Sequence, residues 1–162
     1  MCIKVVANGI KVVESGSEIL MYTGEYNHTI DTKGRMIIPA KYRESLGERF
    51  MVTRGVEHNL SVYDVTQWED YVARLSSLPG NGDARKMIRF IVAGAVEAEI
   101  DKQGRILVPA NLREWAGISK DVVLAGVIDH IEVWSKERYD EATAFDNMDD
   151  IAEHMAELGL GV

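Results

Sequence analysis

The sequence predicts an α+β fold that is built by tandem duplication of one small unit. Two 24-residue stretches, 24–47 and 94–117, align 70 positions apart and place extended runs, a glycine turn and a short helix in the same order. Self-similarity at a fixed spacing identifies repeated structural units. The identical pairs are Gly24/Gly94, Ile30/Ile100, Asp31/Asp101, Gly34/Gly104, Arg35/Arg105, Pro39/Pro109, Ala40/Ala110, Arg43/Arg113, Glu44/Glu114 and Gly47/Gly117.

Each copy opens with a predicted strand–turn–strand segment. In the first copy an extended run over 26–30 reaches the turn Asp31-Thr32-Lys33-Gly34, and an apolar run over 35–38 follows it. Glycine at the last turn position supplies the positive φ that a tight turn needs. The second copy repeats the pattern over 96–100, 101–104 and 105–108.

A short helix and two further strands complete each copy. Pro39 and Pro109 suit the first position of a helix and hold the residue before them extended. Helices are therefore predicted over 40–46 and 110–116, each ended by a glycine, Gly47 or Gly117. The further strands are predicted over 51–55, 60–63, 122–127 and 131–134.

Helices are also predicted between and after the copies. Asp64 precedes Gln67 by three residues, which is a capping-box pattern, and Ser135 is a second N-cap candidate. Asp83 is predicted to begin a helix that reaches about residue 93. In the tail an apolar stripe at helical spacing favours packing in a core or against a subunit. The stripe consists of Phe145, Met148, Ala152 and Met155.

These elements divide the chain into five segments. An N-terminal extension is predicted over 1–20. The first motif is predicted over 21–68, the connecting helices over 69–93 and the second motif over 94–139. An acidic C-terminal helix is predicted over 140–162. Residues 1–20 have no partner in the repeat and no signal-peptide pattern, and Met21 directly precedes the first copy. We expect the compact domain to begin near Met21.

Composition and cysteine usage exclude several classes of protein. The 162 residues carry 26 Asp and Glu against 18 Lys and Arg, and the net charge of −8 taken alone argues against nucleic-acid or anionic-membrane partners. No apolar run reaches the roughly 20 residues that span a bilayer. Cys2 is the only cysteine, so an internal disulfide is excluded, a reducing compartment is favoured and no zinc pattern exists.

The charges are segregated along the chain. Residues 31–54 carry a net charge of +3 and residues 101–120 carry +2, whereas residues 136–162 carry −6. Basic charge therefore collects in the repeated units, which is typical of a protein that contacts nucleic acid.

Catalytic motifs are absent from the sequence. It contains no G-x-G-x-x-G, no P-loop, no H-E-x-x-H and no G-x-S-x-G, and we nominate no catalytic residue. The acidic residues of the tail are interpreted as a solvated surface: Asp149, Asp150, Glu153 and Glu157.

The arginine that follows each turn glycine has two interpretations. An Asp31–Arg35 pair, and an equivalent Asp101–Arg105 pair, can be a surface salt bridge that holds the turn and contributes under about 1 kcal/mol. Alternatively, the guanidinium points outward, where its fork matches a phosphate or a guanine edge. Spacing alone favours neither, and the basic charge of the repeated units favours the second.

The segments GEYNHTIDTKGRMIIPAKYRESLG and DKQGRILVPANLREWAG resemble the MraZ family of bacterial transcriptional regulators, whose chains carry two AbrB/SpoVT-type swapped-hairpin motifs. The resemblance covers about residues 21–158, and the doubled D-x-x-G-R-φ-φ-φ-P-A pattern is highly specific. It implies that two copies interleave their hairpins into a small β-barrel-like domain. It also implies ring-shaped homo-oligomers that bind double-stranded DNA at direct repeats upstream of division and cell-wall genes.

The resemblance further implies the DNA-binding residues. The family's D-x-x-x-R motif carries over to Asp31 and Arg35 and to Asp101 and Arg105, with Lys33 and Lys102 beside them in the turns. No cofactor, metal, membrane or small-molecule substrate is implied. A cytoplasmic, nucleoid-associated protein that is not an enzyme is expected.

A protein-interaction module is the alternative function. In it the swapped hairpins form a dimerisation core and the acidic helix over 145–158 binds a partner, as in antitoxins. Antitoxins typically carry one hairpin motif and a disordered tail, whereas this chain has two motifs and an amphipathic tail. That difference favours the transcriptional regulator, and salt-dependent binding to promoter repeats would separate the two.

The expectation for residues 1–20 is open to a direct test. If translation starts at Met21 and these residues are a start-site artefact, intact-mass spectrometry of the protein made in its own cell will give a product that begins at Met21. A product that begins at Met1 would contradict this.

Overall fold

Ten strands and six α-helices make up the described part of the chain. The computed structural model describes residues 2–6, 9–14 and 17–161, with side chains described over 21–161. The strands are β1 (Cys2–Val6), β2 (Gly9–Glu14), β3 (Ser17–Thr29), β4 (Arg35–Ile37), β5 (Arg49–Arg54), β6 (Leu60–Asp64), β7 (Val96–Glu99), β8 (Arg105–Leu107), β9 (Asp121–Ile128) and β10 (Ile131–Ser135). The helices are α1 (Ala40–Leu46), α2 (Val65–Ser76), α3 (Gly82–Ile91), α4 (Ala110–Ala116), α5 (Lys136–Ala142) and α6 (Met148–Glu157).

The two copies combine into one pseudosymmetric structure. Eight strands form an antiparallel sheet in the order β1-β2-β3-β9-β10-β6-β5-β7, and β4 and β8 form a separate ribbon. The first strand of each copy pairs with the third strand of the other copy, as β3 with β9 and β7 with β5. Equivalent strands β6 and β10 pair with each other at the centre. The predicted α+β fold with a tandem duplication is therefore confirmed.

The hairpins are exchanged between the copies. Within the first copy, β3 and β4 are linked by the isolated bridge Ile30–Met36, whereas the ladder of β4 is made with β8, where Met36 faces Ile106. The exchange is symmetric, because the amide of Ile38 donates to the carbonyl of Gly104 at 2.9 Å and that of Val108 donates to Gly34 at 2.8 Å. Local strand–turn–strand patterning thus predicts the turn, and the ladder partner comes from the other copy.

Both copies contribute to one hydrophobic core. The ribbon residues Met36 and Ile106 are 1% exposed, and they pack in the same cluster as the central strand residues Leu60 and Ile131. Complete burial of such a side chain contributes about 1.5–3 kcal/mol. The inward-facing side chains of the ribbon therefore attach it to the core. The eight-stranded sheet is open, with β1 and β7 as its edge strands.

Side-chain caps fix the starts of three helices. Oδ1 of Asp64 accepts from the amide of Gln67 at 2.9 Å, and Oγ of Ser135 accepts from that of Arg138 at 3.3 Å, as predicted. Helix α3 begins at Gly82, one residue before the predicted start at Asp83, and Oδ1 of its N-cap Asn81 accepts from the amide of Ala84 at 2.9 Å. Asn81 has the extended backbone that an N-cap requires.

The C-terminal region contains α5, which Ser135 caps as predicted, and the separate tail helix α6. Helix α5 ends at Ala142, a short 3₁₀ turn covers Phe145–Asn147, and α6 begins at Met148. The acidic helix that the sequence predicts over 140–162 is thus confined to α6, because the chain leaves helical geometry at Thr143 and Ala144.

The N-terminal strands extend the sheet beyond the repeat. Strand β3 pairs with β2 over Ser17–Met21 and then with β9 over Tyr22–Thr29, so two successive partners keep it extended. This strand is longer than the predicted run over 26–30 for that reason. The origin of residues 1–20 stays a prediction.

Substituting Gly126 tests the close approach of β3 and β9. A Cβ at this position would lie 2.5 Å from the backbone nitrogen of Thr23 and 2.6 Å from the carbonyl carbon of Tyr22, so the strands would have to separate. We expect Gly126→Ala to lower the free energy of unfolding by about 2–3 kcal/mol in urea denaturation.

Gly80→Ala is the matched control. Gly80 has no atom within 4 Å of an added Cβ and no positive φ, so this substitution should change the free energy of unfolding by less than about 0.5 kcal/mol. A loss for Gly126→Ala that is no larger than the loss for Gly80→Ala would contradict the close approach.

Candidate nucleic-acid interface

The turn that precedes each ribbon strand is organised by one aspartate. Oδ1 of Asp31 accepts from the amide of Lys33 at 3.0 Å and from that of Arg35 at 2.9 Å. In the second copy, Oδ1 of Asp101 accepts from the amides of Gln103 and Arg105 at 2.8 and 2.9 Å. A short carboxylate is suited to this role because it bonds the backbone two residues on. The turn aspartate is therefore needed for local geometry before any partner is considered.

The same aspartate also holds the following arginine. Nε of Arg35 donates to Oδ2 of Asp31 at 2.8 Å, and Nε of Arg105 donates to Oδ2 of Asp101 at 2.9 Å. In the second pair, Nη2 of Arg105 lies 2.9 Å from the same oxygen. The two interpretations from the sequence are thus compatible, because an arginine has five N–H donors and the carboxylate engages only one edge of the fork.

Both arginines lie on the outer face of one ribbon. In the β4–β8 ladder Arg35 faces Leu107 and Ile37 faces Arg105, so all four side chains share a face while Met36 and Ile106 point inward. Diagonal neighbours across two antiparallel strands lie about 7–8 Å apart. Arg35 and Arg105 therefore belong to one surface that needs both copies, and not to two separate tips.

Two apolar side chains complete this surface. Ile37 is 42% exposed and Leu107 is 61% exposed, although each lies between buried residues of an apolar run. Sequence analysis missed both as interface residues. The period-2 alternation of a strand could have found them, because the middle residue of Met36-Ile37-Ile38 must face away from its neighbours.

Two helix arginines lie over the turns of the opposite copy. A Cβ added to Gly104 would lie 2.6 Å from Nη1 of Arg43, and one added to Gly34 would lie 3.0 Å from Nε of Arg113. Arg113 also donates to the carbonyl of Val108 at 3.1 Å. The sequence shows the positive charge of Arg43 and Arg113 and their equivalence in the repeat, but not their position over the turns.

The ribbon surface is consequently basic. Lys33 and Lys102 are exposed in the turns, and Arg43 and Arg113 stand beside the turns that position Arg35 and Arg105. The structure brings the predicted residues of each copy together and joins the two sets through the β4–β8 pairing. Such a surface offers several N–H donors around a narrow apolar strip.

Backbone hydrogen bonds perturb the two turn carboxyls. The amide of Arg35 holds the pKa of Asp31 below its ordinary value, with a smaller contribution from the Arg35 side chain. The Arg105 amide lowers the pKa of Asp101 in the same way. Formation of the turn therefore favours the ionised form of both carboxylates.

Membrane-spanning helices and metal sites are not found in the described residues. Among them, no helix is both long and apolar enough to cross a membrane. Within the same part of the chain, no group of three His, Cys, Asp or Glu side chains is arranged to hold a metal ion. The ribbon is the surface where the repeated sequence motif and exposed donors coincide.

The fold and this surface define a duplicated swapped-hairpin protein whose two copies build one basic β-ribbon. The family described as "MraZ protein, putative antitoxin-like" matches the chain twice, over residues 21–90 and 91–159. The chain belongs to the MraZ family.

Curated relatives cover most of the chain. A protein of Lachnoclostridium phytofermentans is 55% identical over 140 residues, which is 86% of this chain and 99% of the relative. Relatives from Thermoanaerobacter sp. (strain X514) and Acetivibrio thermocellus are 52% and 49% identical over 143 residues, which is 86% of this chain and 100% of each relative. All three are named "Transcriptional regulator MraZ". The family is thus one of transcriptional regulators and not an enzyme family.

The turn aspartates predict a specific pH response. Because backbone bonds lower the pKa of Asp31 and Asp101 below 3.8, their stabilising contribution is present above that value and is lost only as pH falls through the lowered pKa. We expect carboxyl NMR titrations of both residues to have midpoints below 3.8. Midpoints at or above 3.8 would contradict the bonding of the turns.

Proposed function

We propose that this protein is a transcriptional regulator that binds double-stranded DNA through the outer face of the β4–β8 ribbon. The observation that carries the proposal is the placement of Arg35 and Arg105 on one exposed face, each held by its own turn aspartate. Ordering a guanidinium before binding reduces the conformational entropy lost when it meets its partner.

The shape of the surface suits the major groove of DNA. That groove admits a two-stranded β-ribbon, and arginine donates in bidentate fashion to O6 and N7 of guanine. Ile37 and Leu107 lie beside the arginines, where apolar side chains can contact thymine methyl groups. Lys33, Lys102 and the helix arginines are the candidates for phosphate contacts, which fix orientation without specifying sequence.

The charge of a single subunit supports only weak binding. The stretches 31–54 and 101–120 carry net charges of +3 and +2, so one ribbon neutralises few phosphates. Linked modules gain about 10²–10⁴ in avidity without new contacts. We therefore propose a ring-shaped homo-oligomer that binds direct repeats in a promoter, upstream of division and cell-wall genes. A cytoplasmic, nucleoid-associated location follows from that role.

The acidic tail complements this arrangement. Residues 136–162 carry a net charge of −6, and α6 holds no buried side chain. Like charges repel the DNA backbone, so the tail disfavours non-specific binding in orientations that would bring it near phosphate. Affinity then depends on the ribbon rather than on overall charge.

An antitoxin-like interaction module is the second candidate function. The exposed amphipathic helix α6 and the antitoxin-like description of the matching family favour it. The duplicated, outward-facing arginines favour the DNA-binding function, because a toxin-neutralising tail does not require them. Salt-dependent binding to promoter repeats separates the two, since a module of the second kind shows none.

Substitution of the ribbon arginines tests the proposal. We expect Arg35→Ala or Arg105→Ala to abolish binding to a repeated promoter fragment in a mobility-shift assay, with a loss of at least about tenfold on a single box. The fold and the oligomer stay intact, because both side chains are partly exposed and outside the core. Arg35→Lys should bind more weakly than the unsubstituted protein, because lysine retains the charge and loses the fork.

Arg74→Ala is the matched control for charge. Arg74 is 63% exposed on α2 and contacts Asp129 at 3.6 Å, so its removal takes away one positive charge outside the ribbon. We expect this variant to bind almost as the unsubstituted protein does. Unchanged binding in both ribbon single variants and in their double variant would refute the proposed surface.

A further inference from the structure

The C-terminal helix α6 presents an apolar stripe to solvent. Met148 is 42% exposed, Ile151 is 39% exposed and Leu158 is 71% exposed, and they recur at the spacing of one helix face. No residue of α6 is buried. Phe145 and Leu160, at 63% and 55% exposed, extend this apolar surface beyond both ends of the helix. An amphipathic helix normally buries such a stripe against a partner.

The same segment carries strong negative charge. Between Phe145 and Leu160 there are five carboxylates and neither lysine nor arginine. The carboxylates belong to Asp146, Asp149, Asp150, Glu153 and Glu157. A partner surface should therefore be apolar at its centre and basic around it.

An apolar surface with basic side chains beside it lies next to α3. A groove of about 370 Å³ is lined by Val56, Asp83, Lys86, Met87, Phe90 and Trp115. Val56 is 62% exposed and Met87 is 39% exposed, so its apolar side chains are accessible. The rings of Phe90 and Trp115 both line the groove and pack edge to face, with their centroids 5.0 Å apart.

The helix that forms one wall of the groove is basic. Lys86 lines the groove and Arg89 follows it by three residues on the same side of α3, and both are exposed; Asp83 is the one carboxylate of the lining. The guanidinium of Arg54 lies over the Phe90 ring at 5.0 Å and adds a third cation nearby. The apolar lining of the groove complements the apolar stripe of α6, and the cations beside the groove complement the carboxylates of α6.

We propose that α6 of one subunit docks in the α3 groove of the neighbouring subunit, so that subunits associate head to tail. Two different patches meet in such a contact, which makes it heterologous, and heterologous contacts close into rings when the rotation permits. This inference rests on the proposed ring, for which it supplies the interface. None of the residues that line the groove and none of α6 belongs to the β4–β8 ribbon, so the docking contact does not use the ribbon.

Complementary variants of the full chain test the docking. One variant blocks the groove with Lys86→Glu and Met87→Glu, and the other blocks the tail with Met148→Glu and Ile151→Glu. All four side chains are exposed, so both variants should fold. By light scattering after size exclusion, we expect the unsubstituted protein to be oligomeric and each variant alone to be an 18.1-kDa monomer.

Mixing the two variants gives the decisive result. The intact tail of the groove variant can enter the intact groove of the tail variant, and the resulting pair has no second working contact. We therefore expect the mixture to form dimers and nothing larger. Val65→Glu is the control, because Val65 is 49% exposed on α2 and lies outside both surfaces, and it should leave the oligomer unchanged.

The alternative outcomes separate this inference from the proposed function. An oligomer that survives in both variants would overturn the docking and leave the ring intact, with a different interface. A monomeric unsubstituted protein would overturn both the docking and the ring. Monomeric variants that do not dimerise on mixing would also overturn the docking between subunits. They would indicate that α6 binds another partner or the groove of its own chain. Each variant should still bind a single DNA box as the unsubstituted subunit does, and loss of that binding would contradict the separation of the two surfaces.

Discussion

The antiparallel pairing of β4 with β8 is the interaction on which the rest of the structure depends. Each strand comes from a different copy, and each turn glycine accepts a hydrogen bond from the opposite strand, at 2.9 Å for Gly104 and 2.8 Å for Gly34. Because side chains alternate along a strand, this pairing directs Met36 and Ile106 into the core and turns Arg35 and Arg105 outward. Core formation and presentation of the arginines are therefore one event.

Duplication within one chain makes that pairing intramolecular. A covalently linked partner strand has a high effective concentration, so the ribbon does not depend on finding a second chain. The duplication has also allowed the copies to diverge, as Lys33 stands where the second copy has Gln103. Arg105 places both Nε and Nη2 at 2.9 Å from Oδ2 of Asp101, whereas Arg35 places Nε at 2.8 Å from Oδ2 of Asp31. A ribbon without strict twofold symmetry fits the proposed direct repeats, because each box then has a direction.

Sequence analysis predicts the features that local chemistry determines. The turn aspartates, the glycines, the bounds of α1 and α4 and the caps at Asp64 and Ser135 all follow from short-range rules, and they match the structure. The predicted start of α3 at Asp83 is one residue late, because the side chain of Asn81 caps the helix and the helix begins at Gly82.

Features that depend on pairing between distant segments could not be predicted from the residues alone. The diagonal placement of the two arginines, the sharing of their face with Ile37 and Leu107, and the positions of Arg43 and Arg113 over the opposite turns all require the register of β4 and β8. Of the predicted apolar stripe, Met148, Ala152 and Met155 lie on α6, whereas Phe145 lies in the 3₁₀ turn before it. No residue of α6 is buried within the chain, which helical spacing alone does not reveal. Local pattern gives the components, and non-local pairing decides which of them share a surface.

The central claim is that both copies contribute to one DNA-binding face. Methyl NMR of the full-length protein, with labelled Ile37 and Leu107, tests it directly during titration with a promoter fragment. These methyl groups lie on the same face as the arginines and belong to different copies. If both copies form one face, both resonances shift together, at the same ratio of protein to DNA. Shifts confined to one copy, or to residues outside the ribbon, would contradict it.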